Sequence, residues 1–191
     1  DVDGVSSVAL LVDFLRRCGG RVTTRVARRD EGYGFSPRQA EDLAAASQCR
    51  VLLLADCGTS DRAAVSAAVA AGVEVLALDH HRSLDWSPWP GLALVNPQRP
   101  DCRYPDKGMS TVGLAFHLVA LLRRRLLARG VAAPDPRDFL DLVALGTVAD
   151  VVKLDANNRR LVAQGLKRIR AGAMPCGLAS LFTVAARKPQ V

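Results

Sequence analysis

Two short apolar runs in this sequence end on carboxylates, and one of them continues into paired histidines. Val73-Glu74-Val75-Leu76-Ala77-Leu78, preceded by Gly72, runs into Asp79-His80-His81; Val51-Leu52-Leu53-Leu54-Ala55 runs into Asp56, with Gly58 after it. Asp1, Asp3 and Asp150 add further carboxylates beside helical patterns. Several carboxylates with one or two imidazoles suit two divalent cations, and oxygen-rich ligation favours Mn²⁺ or Mg²⁺ over structural zinc. A bridging carboxylate holds such ions about 3.5–4 Å apart, the spacing that stabilises both attacking and leaving oxygens in phosphoryl displacement. Without cations the carboxylates would repel, and some would stay protonated. Each residue also has an ordinary reading. Asp56 fits a turn before Gly58, Asp150 fits a helix end, and His117, inside Leu114-Ala115-Phe116-His117-Leu118-Val119, reads as a helix-packing histidine rather than a ligand. A His-His pair directly after a buried strand is harder to assign to packing. Tyr33 and Trp86 are candidates to stack on bases, and Trp89 is read as packing.

The elements that must hold these groups follow from periodicity and punctuation. Both apolar runs read as buried strands. A helix from about 61 to 71 joins them, giving a strand-helix-strand unit and hence a parallel sheet. In such sheets ligands sit at the carboxyl ends of the strands. Val5, Val8, Ala9, Val12 and Leu15 recur at helical spacing until Gly19-Gly20. A strand before this helix would put Asp1 and Asp3 in a strand-to-helix loop, but no such strand is in the sequence. Residues 21–27 alternate in strand fashion at Val22, Thr24 and Val26. Ser36-Pro37-Arg38-Gln39 is a helix start, the helix running to about Ser47. Leu92-Ala93-Leu94-Val95 predicts another strand, followed by an irregular Pro-rich stretch to Gly108. A long helix is predicted from Ser110 or Thr111 to Arg129 with Gly130 as its stop. Another runs from about Arg137 towards Asp150, one capped by Asn157 or Asn158 runs to Arg170, and a short last one covers about 178–186. The fold class is therefore α/β: three layers, a mostly parallel sheet flanked by helices.

Composition narrows the class. At 191 residues, with 49% hydrophobic and 24% charged residues, the chain matches one globular domain, and no apolar run approaches a membrane span. Five scattered cysteines without CxxC spacing argue against a zinc ribbon or disulfide framework and fit a reducing cytosol, so a cytoplasmic location is expected. The net charge of +7 suits a polyanionic partner such as nucleic acid, but runs such as Arg123-Arg124-Arg125 equally suit solvated helix faces. The chain opens on Asp1-Val2-Asp3-Gly4 without a Met and reads as a fragment lacking its first strand, with about 173–191 as the start of a connector.

Asp-x-Asp-Gly, Asp-x-Gly, Asp-His-His and Ala-Asp-Val, in that order, resemble the four motifs of the DHH phosphoesterase superfamily. Arg28-Arg29-Asp30-Glu31-Gly32-Tyr33-Gly34, Val95-Asn96-Pro97, Val112-Gly113-Leu114-Ala115-Phe116 and the stretch 140–172, including Leu154-Asp155-Ala156-Asn157-Asn158-Arg159, resemble the RecJ single-strand-specific exonucleases. The family's first motif is Asp-x-Asp-x-Asp-Gly, of which Asp1 and Asp3 match the second and third carboxylates. The resemblance implies that Asp1 binds one cation with Asp56, and that Asp56 bridges to a second cation held also by Asp3, His80 and Asp150. It implies that His81 faces the scissile phosphate while Asp79 orients the histidines. Arg28 matches an arginine that grips a 5′-terminal phosphate, a task suited to a guanidinium fork. Gly108 to Gly113, at a helix start, fits either phosphate binding by backbone N–H groups or close helix packing.

The implied activity is metal-dependent hydrolysis of single-stranded DNA in the 5′-to-3′ direction, in DNA repair and recombination, with two Mn²⁺ or Mg²⁺ ions. A metal-activated water attacks, and no Ser, Cys or His nucleophile is required. Single-strand-binding protein or a helicase are implied protein partners, with no membrane. RecJ proteins carry a DHHA1-type domain and an OB-fold beyond this region, so this piece alone is expected to be weak or inactive. The rival readings are a phosphoesterase for short oligonucleotides or cyclic dinucleotides, and an inactive DHH-like binding module.

Overall fold

The computed structural model describes residues 1–189 except 29, 31, 47, 48 and 84–86. Helix α1 spans Val2–Arg17, α2 Pro37–Ala46, β1 Val51–Ala55, α3 Arg62–Ala70, β2 Glu74–Leu78 and β3 Leu92–Val95. Helix α4 spans Thr111–Leu127, α5 Leu140–Ala149, α6 Ala156–Arg170 and α7 Cys176–Val184. A short 3-10 turn, Pro136–Phe139, leads into α5. Among the described residues no helix is long and apolar enough to cross a membrane.

The sheet is parallel in the order β1-β2-β3. Its strands are apolar on both faces because both faces are covered, as parallel sheets require. Alternate side chains divide between two cores. Leu54, Val75, Ala77 and Leu94 pack with Ala40 of α2 and Ala64, Val65 and Ala68 of α3. Leu78, with Leu53 and Ala55 beside it, packs with Leu10, Leu11 and Phe14 of α1, Val112, Ala115 and Val119 of α4, and Val143 of α5. The outcome is the expected three-layer α/β arrangement, with the site helices α1, α4 and α5 on one side.

Local chemistry sets the helix ends. The Ser36 hydroxyl accepts from Gln39 N–H at 3.3 Å while the Gln39 side chain accepts from Ser36 N–H at 3.0 Å, a reciprocal cap for α2. Ser47, the expected end of that helix, lies outside the described residues. Ser110 caps α4, and Arg124 and Arg125 stand in its last turn, where cations suit the helix dipole.

Three expectations need correction. Residues 21–27 form no strand, although they alternate like one. Pairing defines a strand, no described strand bonds to this segment, and the Val22 carbonyl accepts instead from Arg16 Nη2 at 2.9 Å. Asp1 and Asp3 are on a helix rather than in a loop: Asp1 caps α1 and Asp3 lies in its first turn. The cap of α6 is Asp155, whose carboxylate accepts from the N–H groups of Asn157 and Asn158. His117 is surface-exposed on α4 rather than in a core, its ring packed edge-on against Phe116 and apart from the donor groups. Trp89 does pack, against the core under α3, with Arg62 stacked over its ring at 5.6 Å. Helix α7 fills much of the stretch read as a connector, and its Leu181 and Val184 are exposed.

Candidate metal centre

The sheet register sets two acids side by side. Ala55 pairs with Leu78, and the ladder continues one residue further: Asp56 N–H donates to the Leu78 carbonyl and Asp79 N–H to the Val95 carbonyl. Both acids thus leave the carboxyl end of the sheet on hydrogen-bonded backbone. Asp56 has φ +66°, in the left-handed region that favours Gly, Asn and Asp. Gly58 follows at φ +112°, and a Cβ there would meet Ala77 Cβ at 2.8 Å, so only glycine lets the loop fold down onto β2. The turn reading of Asp56 and its place in the acidic cluster are therefore compatible.

Opposite the sheet, the N-terminus of α4 holds an acid from α1. Asp3, 1% exposed, accepts from the backbone N–H of Thr111 at 2.7 Å and of Val112 at 2.8 Å. Helix N-termini stabilise anions in this manner. Asp150 comes from the C-terminal end of α5, where Val151 turns the chain at φ +61°. Three carboxylates converge on one imidazole nitrogen. His80 Nε2 lies 3.9 Å from Asp3 Oδ2, 3.5 Å from Asp56 Oδ1 and 3.4 Å from Asp150 Oδ2. His80 Nε2 and Asp150 Oδ2 are buried without a hydrogen-bond partner. Neighbouring ligands of an octahedral ion bound at about 2.1 Å sit about 3 Å apart. Donors at 3.4–3.9 Å that decline to pair with each other fit a cation, and the set of carboxylates plus imidazole fits a hard one.

Asp1 stands at the start of α1 near Gly4, its Oδ1 accepting from the Gly4 N–H at 3.0 Å, and is not among the donors that converge on His80. A Cβ built on Gly4 would fall 3.3 Å from Asp56 Oδ2 and 3.6 Å from Asp1 Oδ1. Asp56 thus turns Oδ1 towards His80, with Oδ2 beside Gly4. Ligand atoms of Asp56, His80 and His81, and those of Asp3, His80 and Asp150, lie within 4.8 Å of one another, so two overlapping sets of donors share this pocket.

Asp79, 2% exposed, organises the histidine loop. Its Oδ1 accepts from His80 N–H at 2.8 Å, His81 N–H at 3.2 Å and His81 Nδ1 at 2.7 Å, and its Oδ2 from Thr59 N–H at 2.9 Å. His81 Nε2, the outward nitrogen, meets the Tyr33 hydroxyl at 3.1 Å. Asn96 clamps this loop, donating to the His81 carbonyl and to Thr59 Oγ1, both at 2.8 Å.

The charges follow. Burial, with the Asp3 charge next, pushes the Asp56 carboxyl up to about 6. Burial also raises Asp3, with the two α4 N–H donors pulling the other way. For Asp79 burial is outweighed by hydrogen bonds from His81 and Thr59, which leave it at about 2. The Asp79 hydrogen bond holds His81 above its ordinary range. Burial, then Asp61 and Asp79, pushes the Cys57 thiol up to about 12, so it offers neither a thiolate ligand nor a nucleophile. An electropositive occupant would relieve Asp3 and Asp56 together.

His81, raised, contributes stability below its unfolded value near 6.5 and loses it as pH rises through the higher folded value. Asp79, lowered, contributes stability above 3.8 and loses it as pH falls through about 2. We expect Asp79→Asn to bring the His81 titration, followed by imidazole NMR, down towards the ordinary histidine range. An unmoved midpoint would mean that Asp79 does not hold this proton.

Other expected site residues lie apart from the donor cluster or in different roles. Arg28 grips Asp30 with Nε at 3.0 Å and Nη2 at 2.9 Å, so an incoming phosphate would compete with that carboxylate. Gly113 offers no free N–H: the Ser110 hydroxyl takes it at 3.3 Å. Thr111 and Val112 N–H serve Asp3, and a Cβ on Gly113 would lie 2.9 Å from Met109 Cγ. Close packing therefore explains Gly113, and its own N–H and those of Thr111 and Val112 are already engaged. Trp86 lies outside the described residues. Sequence reasoning missed Thr111, Thr59 and Asn96. Thr111 was findable as the first residue after a Ser cap; Thr59 and Asn96 act through hydrogen bonds across the chain that no local pattern marks.

With this geometry in view, the likeness to known proteins is specific. A model of the DHH family, N-terminal domain, matches residues 1–147. The chain belongs to the DHH family. This DHH chain is 43% identical over 195 residues to the single-stranded-DNA-specific exonuclease RecJ of Dickeya dadantii (strain 3937), covering 98% of this chain and 34% of that protein. The fold is similar to the crystal structure of exonuclease RecJ bound to manganese, with TM-score 0.77 and 35% identity over 90% of this chain and 42% of that one. It is also similar to RecJ in complex with Mn²⁺ from Thermus thermophilus, with TM-score 0.78 and 32% identity over 100% of this chain and 26% of that one. The DHH chain spans about a third of the length of the curated relatives it matches.

Proposed function

We propose that this DHH protein is a single-stranded-DNA exonuclease that hydrolyses phosphodiester bonds in the 5′-to-3′ direction with two Mn²⁺ or Mg²⁺ ions. The observation that carries the proposal is the convergence of Asp3, Asp56 and Asp150 on the unpartnered Nε2 of His80. Its likeness to RecJ proteins, whose solved structures hold Mn²⁺ or Mg²⁺, supports the choice of cation and substrate.

Asp1 and Asp56 would hold one cation, and Asp56, Asp3, His80 and Asp150 the other. When bound, such ions supply Lewis acidity and a water activated for attack on phosphorus. The chain's own groups do the rest. The α4 N-terminus fixes Asp3, and Asp79 fixes the His81 ring so that Nε2 faces outward, where it can donate a hydrogen bond to a phosphate oxygen. Arg28 is assigned to the 5′-phosphate in exchange for Asp30, and Tyr33, exposed beside His81, to the terminal nucleotide.

The test offers the intact protein with Mn²⁺ a long 5′-phosphorylated single strand, the same sequence as duplex, and short linear and cyclic dinucleotides. The single strand should be degraded from its 5′ end and the duplex spared. Preferential hydrolysis of the dinucleotides would replace the nuclease by a small-substrate phosphoesterase. Calorimetry showing no Mn²⁺ binding would leave a non-catalytic module.

A further inference from the structure

We propose that Thr111 is a positioning residue for the two-cation site, its hydroxyl setting the rotation of Asp56 that turns Oδ1 towards His80. The proposal rests on the two-cation reading of the site and adds a residue to it. Thr111 is fully buried at the start of α4. Its Oγ1 donates to Asp56 Oδ1 at 3.0 Å, and its backbone N–H donates to Asp3 Oδ2 at 2.7 Å. One residue thus holds two acids that lie 55 and 108 positions away in the chain.

The carboxylate rotation matters because it is soft. The torsion about the Cβ–Cγ bond of an aspartate is broad and roughly two-fold, so backbone geometry alone does not fix it. The left-handed backbone at Asp56 fixes where Cβ stands, and the Thr111 hydroxyl fixes how the oxygens are turned. In that rotation Oδ1 stands 3.5 Å from His80 Nε2, on the side of Asp3 and Asp150. Oδ2 stands beside Gly4, 3.3 Å from where a Cβ on that residue would sit. A quarter turn would aim neither oxygen at its neighbours. The hydroxyl leaves lone pairs of Oδ1 free, since a carboxylate oxygen accepts more than one bond. Hydrogen-bond partners of metal-binding carboxylates are worth roughly 10–100-fold in metal affinity.

Three substitutions test this by Mn²⁺ calorimetry on the protein, with thermal unfolding recorded in chelator. Thr111→Val keeps the branched shape and the backbone N–H to Asp3 but removes the donor. It should weaken Mn²⁺ binding by about 10–100-fold. Thr111→Ala, which lacks the hydroxyl and crowds nothing, should show the same loss. Thr111→Ser, which keeps the hydroxyl and drops the methyl, should restore most of the affinity. Unchanged Mn²⁺ affinity in both the Val and Ala variants would overturn the proposal. Equal losses in the Ser and Ala variants would also overturn it, because the methyl group rather than the hydroxyl would then be responsible. Absence of Mn²⁺ binding by the unsubstituted protein is a separate result: it removes the two-cation reading, and the role of Thr111 falls with it.

Discussion

Replacing Asp56 by asparagine will yield a protein that melts higher than the unsubstituted one in chelator, gains nothing from added Mn²⁺, and has lost more than about 10²-fold in turnover. The three effects share a cause. Asp56 is 7% exposed and its carboxyl is pushed from 3.8 up to about 6 by burial and the Asp3 charge. A raised carboxyl means the folded state resists ionisation. The Asp56 contribution to stability without cations is therefore fully present below about pH 4 and is lost as pH rises from about 4 through 6. Two pH units correspond to about 3 kcal/mol at neutral pH, or about 6–12 °C in a chain of this size. Asparagine removes the charge, still accepts the Thr111 hydrogen bond, and tolerates the left-handed backbone at this position. Alanine would confuse the result with backbone strain. The gain in apo stability measures what the site sacrifices to remain able to bind cations. A variant that melts lower in chelator, or that matches the unsubstituted protein's Mn²⁺-induced shift, would remove Asp56 from the centre.

The second large effect lies away from the donors. A Cβ on Gly165 would fall 2.0 Å from the Leu140 carbonyl oxygen and 2.5 Å from Ala144 Cβ. Both belong to α5, so the contact is helix backbone against helix, and no flexible side chain can yield. Gly165→Ala must push α6 from α5 and should cost about 3 kcal/mol despite alanine's better helix propensity. At a urea slope of about 2–3 kcal/mol/M the unfolding midpoint should fall by about 1–1.5 M. Asp150 stands at the end of α5, so Mn²⁺ affinity should fall as well. An unchanged midpoint would show that the helices can separate at little cost.

Much of this site was readable in the sequence because it sits where patterns end. Asp56 and Asp79 follow apolar runs too short for helices, and a parallel sheet delivers both to the same edge. Asp150 closes an apolar helix. What escaped depends on partners. Residues 21–27 have the alternation of a strand, but a strand exists only beside another. Asp155 and Asn157 are both competent caps, and only the backbone at Asp155 decides between them. Asp1 and Asp3 suit a loop or a helix N-terminus equally well, since acids are favoured at both. The role of Thr111 is carried by one hydroxyl and one amide across more than fifty residues, and Gly113 looked like an anion site because its N–H partners were invisible.

The hydrogen bonds from the start of α4 to Asp3 have a consequence for synthesis of the chain. Asp3 leaves the ribosome well ahead of its two amide donors, which emerge 108 and 109 residues later, and Asp150 follows after those. Until α5 has emerged and folded, the early acids have no scaffold to gather them. Capture of cations must then arrive in one late step rather than growing with length, because ligand assembly and folding are the same event. A ribosome-bound chain that stops short of Asp150 would lack one of the four groups that converge on this site, so the donor set closes only when α5 is complete.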